Sequence, residues 1–343
     1  HIDSNNANTL IGYVENGTAG SGYDATADRV VFTLQINTDA SATDANSGYT
    51  FTLYDNLDAK GTQVGDNVEG TQALSLNGLV VVTDNIGGTD HTVNVTGFVN
   101  IIDDVPTVTL VATDNNTIVA QTYDAETAAN GFSTSPYQTD GFFGNAFTVT
   151  SASYGADGAA TANAQVLEYA LTISGQGADS GLKHGGVEIY LYKDATTGEI
   201  TGATDANDIA GSKVFTVSVN ATTGQVTLTQ YATIDHATPG VDSHYDDQTA
   251  TIKSGVLSLT ATVTVTDRDF DTASDTKSID LNSHILFHDA GPEVTNSNGT
   301  AVSEANLEHG SAPNDSALTQ TGTFTISAPD GIASLTFSQG TQS

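Results

Sequence analysis

The sequence predicts an all-β protein built from tandem β-sandwich domains. Three observations carry that expectation. Short runs rich in Val, Thr and aromatic residues recur along the chain, many of them alternating with period two. Clusters of Gly, Asn, Asp and Ser separate them. An internal repeat then returns the same residue types at a fixed spacing.

In chain order, strands are expected at 30–37 (VVFTLQIN), 49–53, 79–82, 147–150, 165–173, 187–192, 214–220, 225–229 and 257–266. Residues 125–129 read as a helical turn, and no long amphipathic helix is expected. Three stretches read as long loops: 121–145, 175–186 and 236–247. Regularly spaced short strands with turn punctuation indicate sandwiches.

The repeat sets the expected domain count. Val31-Phe32-Thr33 and Asn37 return as Val214-Phe215-Thr216 and Asn220, an offset of 183 residues (214 minus 31). Val80 and Val82-Thr83-Asp84 return as Val263 and Val265-Thr266-Asp267 at the same offset. Each anchor is followed by an acidic mark before a proline, Asp103-Asp104-Val105-Pro106 and then Asp289-Ala290-Gly291-Pro292. The expected organisation is the C-terminal part of one sandwich at 1–105, a complete, loop-enlarged and candidate ligand-binding unit at 106–291, and the N-terminal part of a further unit at 292–343. Because the chain opens and closes within the pattern, it is expected to be a segment of something longer. The two partial pieces need partner strands, either from adjacent repeats of the same long chain or from each other, since bare sheet edges invite pairing.

Composition narrows the function. The 343 residues carry 8 Lys and Arg against 41 Asp and Glu, a net charge of −33. So few cations cannot neutralise a phosphate backbone or an anionic lipid surface, which excludes nucleic acid and peripheral membrane partners. With no Cys, the chain has no disulfide, no thiol chemistry and no Cys-ligated metal. No apolar run approaches the 18 residues or so that a spanning helix requires, and His1-Ile2-Asp3 shows no signal-peptide pattern. No G-x-S-x-G, H-E-x-x-H or G-x-x-x-x-G-K motif is present, so the chain is not expected to be an enzyme.

The sharpest local signal is Thr266-Asp267-Arg268-Asp269-Phe270-Asp271-Thr272. Alternate aspartates directly after a strand place three carboxylates in one turn. Two such charges 4 Å apart repel by about 1 kcal/mol in water and about 4 kcal/mol at an effective dielectric of 20. A cation among them removes that cost, and hard oxygen ligands favour Ca2+. A solvated acidic turn is the plainer reading of the same residues. Asp103, Asp104 and Asp289 mark places where one sandwich hands over to the next, and a calcium ion there makes a stiff joint; an ordinary acidic linker is again the plainer alternative. Further candidate ligands are Asp179, Asp242, Asp246 and Asp247. The long loops also mix aromatics and cations, with Tyr123, Tyr137, Phe142, Lys183, His184, His236, His244 and Tyr245 as candidate ligand-binding residues. Rings beside acids suit a calcium-floored pocket for a peptide carboxylate or vicinal sugar hydroxyls; such rings also commonly plug the ends of a sandwich.

Residues 214–236 (VFTVSVNATTGQVTLTQYATIDH) and 259–272 (LTATVTVTDRDFDT) resemble the central pattern of the large repeat domains of type I secreted RTX adhesins of Gram-negative bacteria. Gly224, Val226, Thr229, Gln230, Tyr231, His236, Asp267, Asp269 and Asp271 fall on matching positions. Arg268 and Phe270 stand where that pattern has glycine, and Ala237 where it has proline. The stretch from Val31 to Pro106 and the tail 321–331 (TGTFTISAPDG) look like neighbouring Ig-like units of the same adhesins. The glycine-rich nonapeptide of the secretion-signal end is absent. The resemblance implies a calcium-dependent extracellular adhesin at the bacterial surface, binding a peptide or carbohydrate on another cell, with no membrane insertion of this segment. It equally admits a purely structural, calcium-rigidified extender.

Overall fold

In a computed structural model the described residues are 1–3, 6–16, 20, 22–37, 48–57, 71–75, 79, 81–83, 87–90, 99–114, 117–129, 137–236, 248–329 and 331–337. The architecture is all-β and consistent with β-sandwich domains. Among the described residues the α-helix Asp124–Ala129 has only six residues, and no helix is long and apolar enough to cross a membrane.

Two compact units divide the chain. The first comprises His1–Val111, Val149–Leu167 and Thr262–Thr276; the second comprises Ala112–Thr148, Glu168–Ala261 and Lys277–Ser343. In the first, Ile2–Asp3, Asn6–Val14, Arg29–Asn37 and Gly48–Leu53 form a four-stranded antiparallel meander. Leu34, Val99 and Ile101 form its buried centre, with Leu10, Phe51, Leu57 and Leu74 against them.

The second unit contains a six-stranded antiparallel sheet in the order Tyr137–Phe142, Gln225–Gln230, Lys213–Val219, Ile200–Ala203, Val187–Lys193 and Ala178–His184. Its inward residues Ile189, Leu191, Ile200, Phe215, Val217, Val226 and Leu228 are fully buried. Two stretches expected as loops are therefore partly strand: 137–142 within 121–145, and 178–184 within 175–186. The second is the arm of a hairpin closed by Gly185 and Gly186, both at positive φ (57° and 81°). Two such residues at a two-residue turn match the twist of the strands, and glycine tolerates them without strain. Ala120–Tyr123 pairs in parallel with Ile285–His288, which pairs antiparallel with Thr249–Thr251.

The strands Gln165–Ile173, Leu257–Thr266 and Thr272–Asp280 form a further sheet. Leu257, Leu259, Ala261, Val263 and Val265 are buried while the alternate residues are half-buried, the period-two pattern of a one-sided strand. Along the other face a ladder of hydroxyls joins Thr260 to Ser278, Thr262 to Thr276 and Thr264 to Ser274 at 2.8, 2.9 and 2.9 Å. These cross-strand pairs fix the register that brings 267–271 to the tip of the hairpin.

Candidate metal centre and ligand cleft

The turn 267–271 is closed by its own acids. The Asp271 N–H donates to Asp267 Oδ1 at 2.8 Å, and the Asp267 N–H donates to the Asp271 carbonyl at 3.1 Å. This folds Asp267, Asp269 and Asp271 so that one ligand atom of each lies within 4.8 Å of the others. A second triad, Asp103, Asp157 and Asp269, meets the same limit and shares Asp269. Five carboxylates from three segments of the first unit thus converge.

Local sequence explains each arrival. Asp103 directly follows the strand Val99–Ile102. Asp157 is carried by a turn in which Gly155 has φ 65°; a Cβ at Gly155 would lie 2.0 Å from the Asp104 carbonyl oxygen, so only glycine lets that backbone pass. Asn56 Nδ2 donates to Asp157 Oδ1.

Burial makes the cluster costly without a cation. Asp267 is 1% exposed, Asp271 2% and Asp157 6%. Asp267 Oδ2 and Asp269 Oδ1 are buried with no hydrogen-bond partner. Burial, then the Asp269 carboxyl beside it, pushes the Asp267 carboxyl up to about 7. Burial and then the charge of Asp269 push Asp103 up to about 6. Oxygen-only ligands, unpartnered buried oxygens and crowded negative charge together fit calcium. Asp157 was not anticipated from the sequence; it lies far along the chain from its neighbours, and no local motif surrounds it.

The other candidate ligands scatter. Asp104 is exposed and outside both triads. Asp179 is exposed, accepts the Gly181 N–H at 2.9 Å and lies 3.7 Å from Lys253 Nζ. Asp289 is in the second unit, close to His236 and Asp124. Asp242, His244, Tyr245, Asp246 and Asp247 lie outside the described residues.

The candidate ligand-binding residues divide similarly. Tyr123 stacks on His288 with ring centroids 4.4 Å apart and meets Tyr137 edge-on at 6.4 Å, so these rings pack against the protein itself. Phe142 is 63% exposed. Lys183 is held by Glu188 at 2.7 Å. His184 lines a cleft of about 540 Å³ with Tyr231, Thr233, Asp235 and Pro329. Its Nδ1 lies 2.8 Å from the Thr233 carbonyl, and Asp235 accepts the N–H groups of Gly185 and Gly186 at 2.7 and 2.6 Å. The same carboxylate thus caps the hairpin and edges the cleft. Lys213 Nζ sits 3.8 Å from the centre of the Tyr231 ring. The volume suits a small ligand or a few residues of a larger one.

Residues 105–281 match the family described as a domain of unknown function (DUF5801). The chain belongs to this family. The DUF5801 match takes in four of the five clustered carboxylates, all but Asp103, and most of the residues of the cleft. No curated protein and no solved structure matches the chain.

Proposed function

We propose that this DUF5801 chain is a calcium-braced, ligand-binding segment of a bacterial surface adhesin of the type I secreted RTX kind, working outside the cell. The observation that carries the calcium part is the pair of buried, unpartnered oxygens on Asp267 and Asp269 within a convergence of five carboxylates. With a net charge of −33 the chain has few cations of its own to offset them. Asp103, Asp157, Asp267, Asp269 and Asp271 would hold the ion, which supplies the counter-charge that locks three segments together. The cleft at His184, Tyr231, Thr233 and Asp235 supports the binding part, with a peptide or carbohydrate as ligand. Tyr231 offers a flat apolar face for a sugar or side chain, and Asp235 and Thr233 offer acceptors for hydroxyl or amide donors.

The test is a screen of the full chain against peptide and glycan arrays, in millimolar calcium and in excess chelator. Binding in calcium that is abolished by chelator and weakened by Tyr231→Ala supports the reading. A folded, calcium-loaded chain that binds nothing on either array leaves the structural extender.

A further inference from the structure

We infer that Asp124, His236 and Asp289 form a second metal site, one that takes a borderline divalent cation of the zinc class rather than calcium. Each residue offers one ligand atom, and the three atoms lie within 4.8 Å of one another. The site stands independently of the ligand-binding reading.

The topology brings the two carboxylates together. Ala120–Tyr123 and Ile285–His288 run parallel, with Tyr123 opposite His288. The next residue of each strand is Asp124 and Asp289, so the register sets the two acids side by side at the same end of the pair. His236 comes from the segment that follows Gln225–Gln230 and reaches the same place. Its Nε2 lies 3.0 Å from the Phe287 carbonyl. A carbonyl only accepts, so Nε2 carries the proton and Nδ1 is the nitrogen turned toward the acids.

That Nδ1 is buried, and its side chain is 5% exposed. It has no hydrogen-bond partner, yet Asp289 Oδ1 is 3.6 Å away and Asp124 Oδ2 is 3.9 Å away. A charged N–H···O bond is much shorter, at roughly 2.7–2.9 Å. Ligand atoms bound at roughly 2.0–2.2 Å to one ion sit about 3–3.5 Å apart, so the two nitrogen–oxygen distances need to close by only a few tenths of an ångström. An imidazolium proton is the competing occupant, and the distances favour the larger cation.

The surroundings are those of a metal-ligating histidine, whose other ring nitrogen donates to a backbone carbonyl while the ligating carboxylates are themselves hydrogen-bonded. Asp124 accepts from Gln230 Nε2 and from the Ile234 N–H, and Asp289 Oδ1 accepts the Ala290 N–H at 2.7 Å. Gln230 keeps its own Oε1 buried and without a partner beside the cluster. Imidazole nitrogen is a poor partner for calcium and a good one for zinc, which gives the two sites different selectivity. An ion here ties His236 to the ends of two strands. The segment it secures, 231–236, carries Tyr231, Thr233 and Asp235 of the cleft.

The test uses the full chain, stripped of metal, saturated with calcium and titrated with zinc. One equivalent of zinc bound over millimolar calcium is expected, and His236→Gln should weaken it by more than about tenfold while leaving the response to calcium intact. Binding of no zinc under these conditions overturns the site, as does zinc binding that His236→Gln leaves unchanged. Should the variant fail to fold, 15N NMR of the histidine rings in the wild-type chain decides. A zinc-dependent shift at the His236 Nδ1 supports the site, and an unshifted ring with both nitrogens protonated removes it.

Discussion

The two carboxylate clusters solve one electrostatic problem by different routes. At 267–271 three acids are neighbours in sequence, and a hairpin turn folds them inward. At Asp124–His236–Asp289 the three residues lie far apart in the chain, and a parallel strand register with one histidine assembles them. The first set is all oxygen, crowded and linked through Asp269 to two further acids. The second is smaller, includes nitrogen and is tied into backbone hydrogen bonds. On donor chemistry alone, an all-carboxylate set suits a hard ion, whereas a set that includes an imidazole suits a softer one.

The largest effect that distinguishes them is expected from chelation. A calcium site contributes about 2.7 kcal/mol when the free ion is 100 times its dissociation constant. With one or two ions across the five acids, removing calcium should lower the melting temperature by about 10 °C. A zinc-selective chelator used in excess calcium should leave most of that stability in place. Calorimetry with each chelator checks this; identical melting curves with and without calcium would refute the oxygen cluster as a calcium site.

Next in size is a sign reversal at one residue. In calcium, Asp267→Asn should cost about 2–3 kcal/mol, because a buried ligand is lost. In chelator the same change should stabilise the fold, because it removes a buried charge from a repelling set. Asp104→Asn, at an exposed position outside both triads, should stay within about 0.5 kcal/mol in either condition. Denaturant titrations of the two variants read this directly, and destabilisation of Asp267→Asn in both conditions would mean that the carboxylate is held by protein donors instead.

The same residue gives a pH dependence. The folded-state carboxyl of Asp267 sits at about 7, above its ordinary 3.8, and that of Asp103 at about 6. Between about pH 4 and 7 the metal-free folded state therefore holds protons that the unfolded state has released, and stability falls as pH rises through that window. Subtracting the Asp267→Asn curve from the wild-type curve in chelator should isolate this slope. In calcium the ion replaces the proton, so the difference should flatten or reverse. A metal-free difference curve that rises from pH 4 to 7 would contradict the burial argument.

How much was legible in the sequence follows the same division. Strands with unbroken alternation, such as Leu257–Thr266, were readable because one face is buried and the other is not. Ala178–His184 was not, since Gly181 and Lys183 dilute its pattern and the Gly185-Gly186 turn looks like loop composition until a second strand is placed beside it. The turn acids Asp267, Asp269 and Asp271 were readable from spacing alone. Asp157 and Asp124 were not: each needs a partner about 100 or more residues away, and nothing local marks either one. His236 reads from the sequence as a ligand contact, and the structure sets its side chain beside two carboxylates and a carbonyl, neighbours that no local pattern marks.

The smallest expected effect separates backbone from metal within the acidic turn. Phe270 has φ 80°, a conformation that costs a side chain with a Cβ about 1–2 kcal/mol, and its ring is 63% exposed, so little burial offsets the cost. Phe270→Gly removes the strain but adds freedom to the unfolded chain, worth about 0.5–1 kcal/mol in the opposite direction. The net gain should lie between zero and about 1.5 kcal/mol, or a rise of up to about 5 °C. Because the strain belongs to the chain and not to the ion, the gain should be equal in calcium and in chelator. A gain confined to calcium would show instead that the ion forces the turn into this shape, and that in chelator the turn relaxes to another.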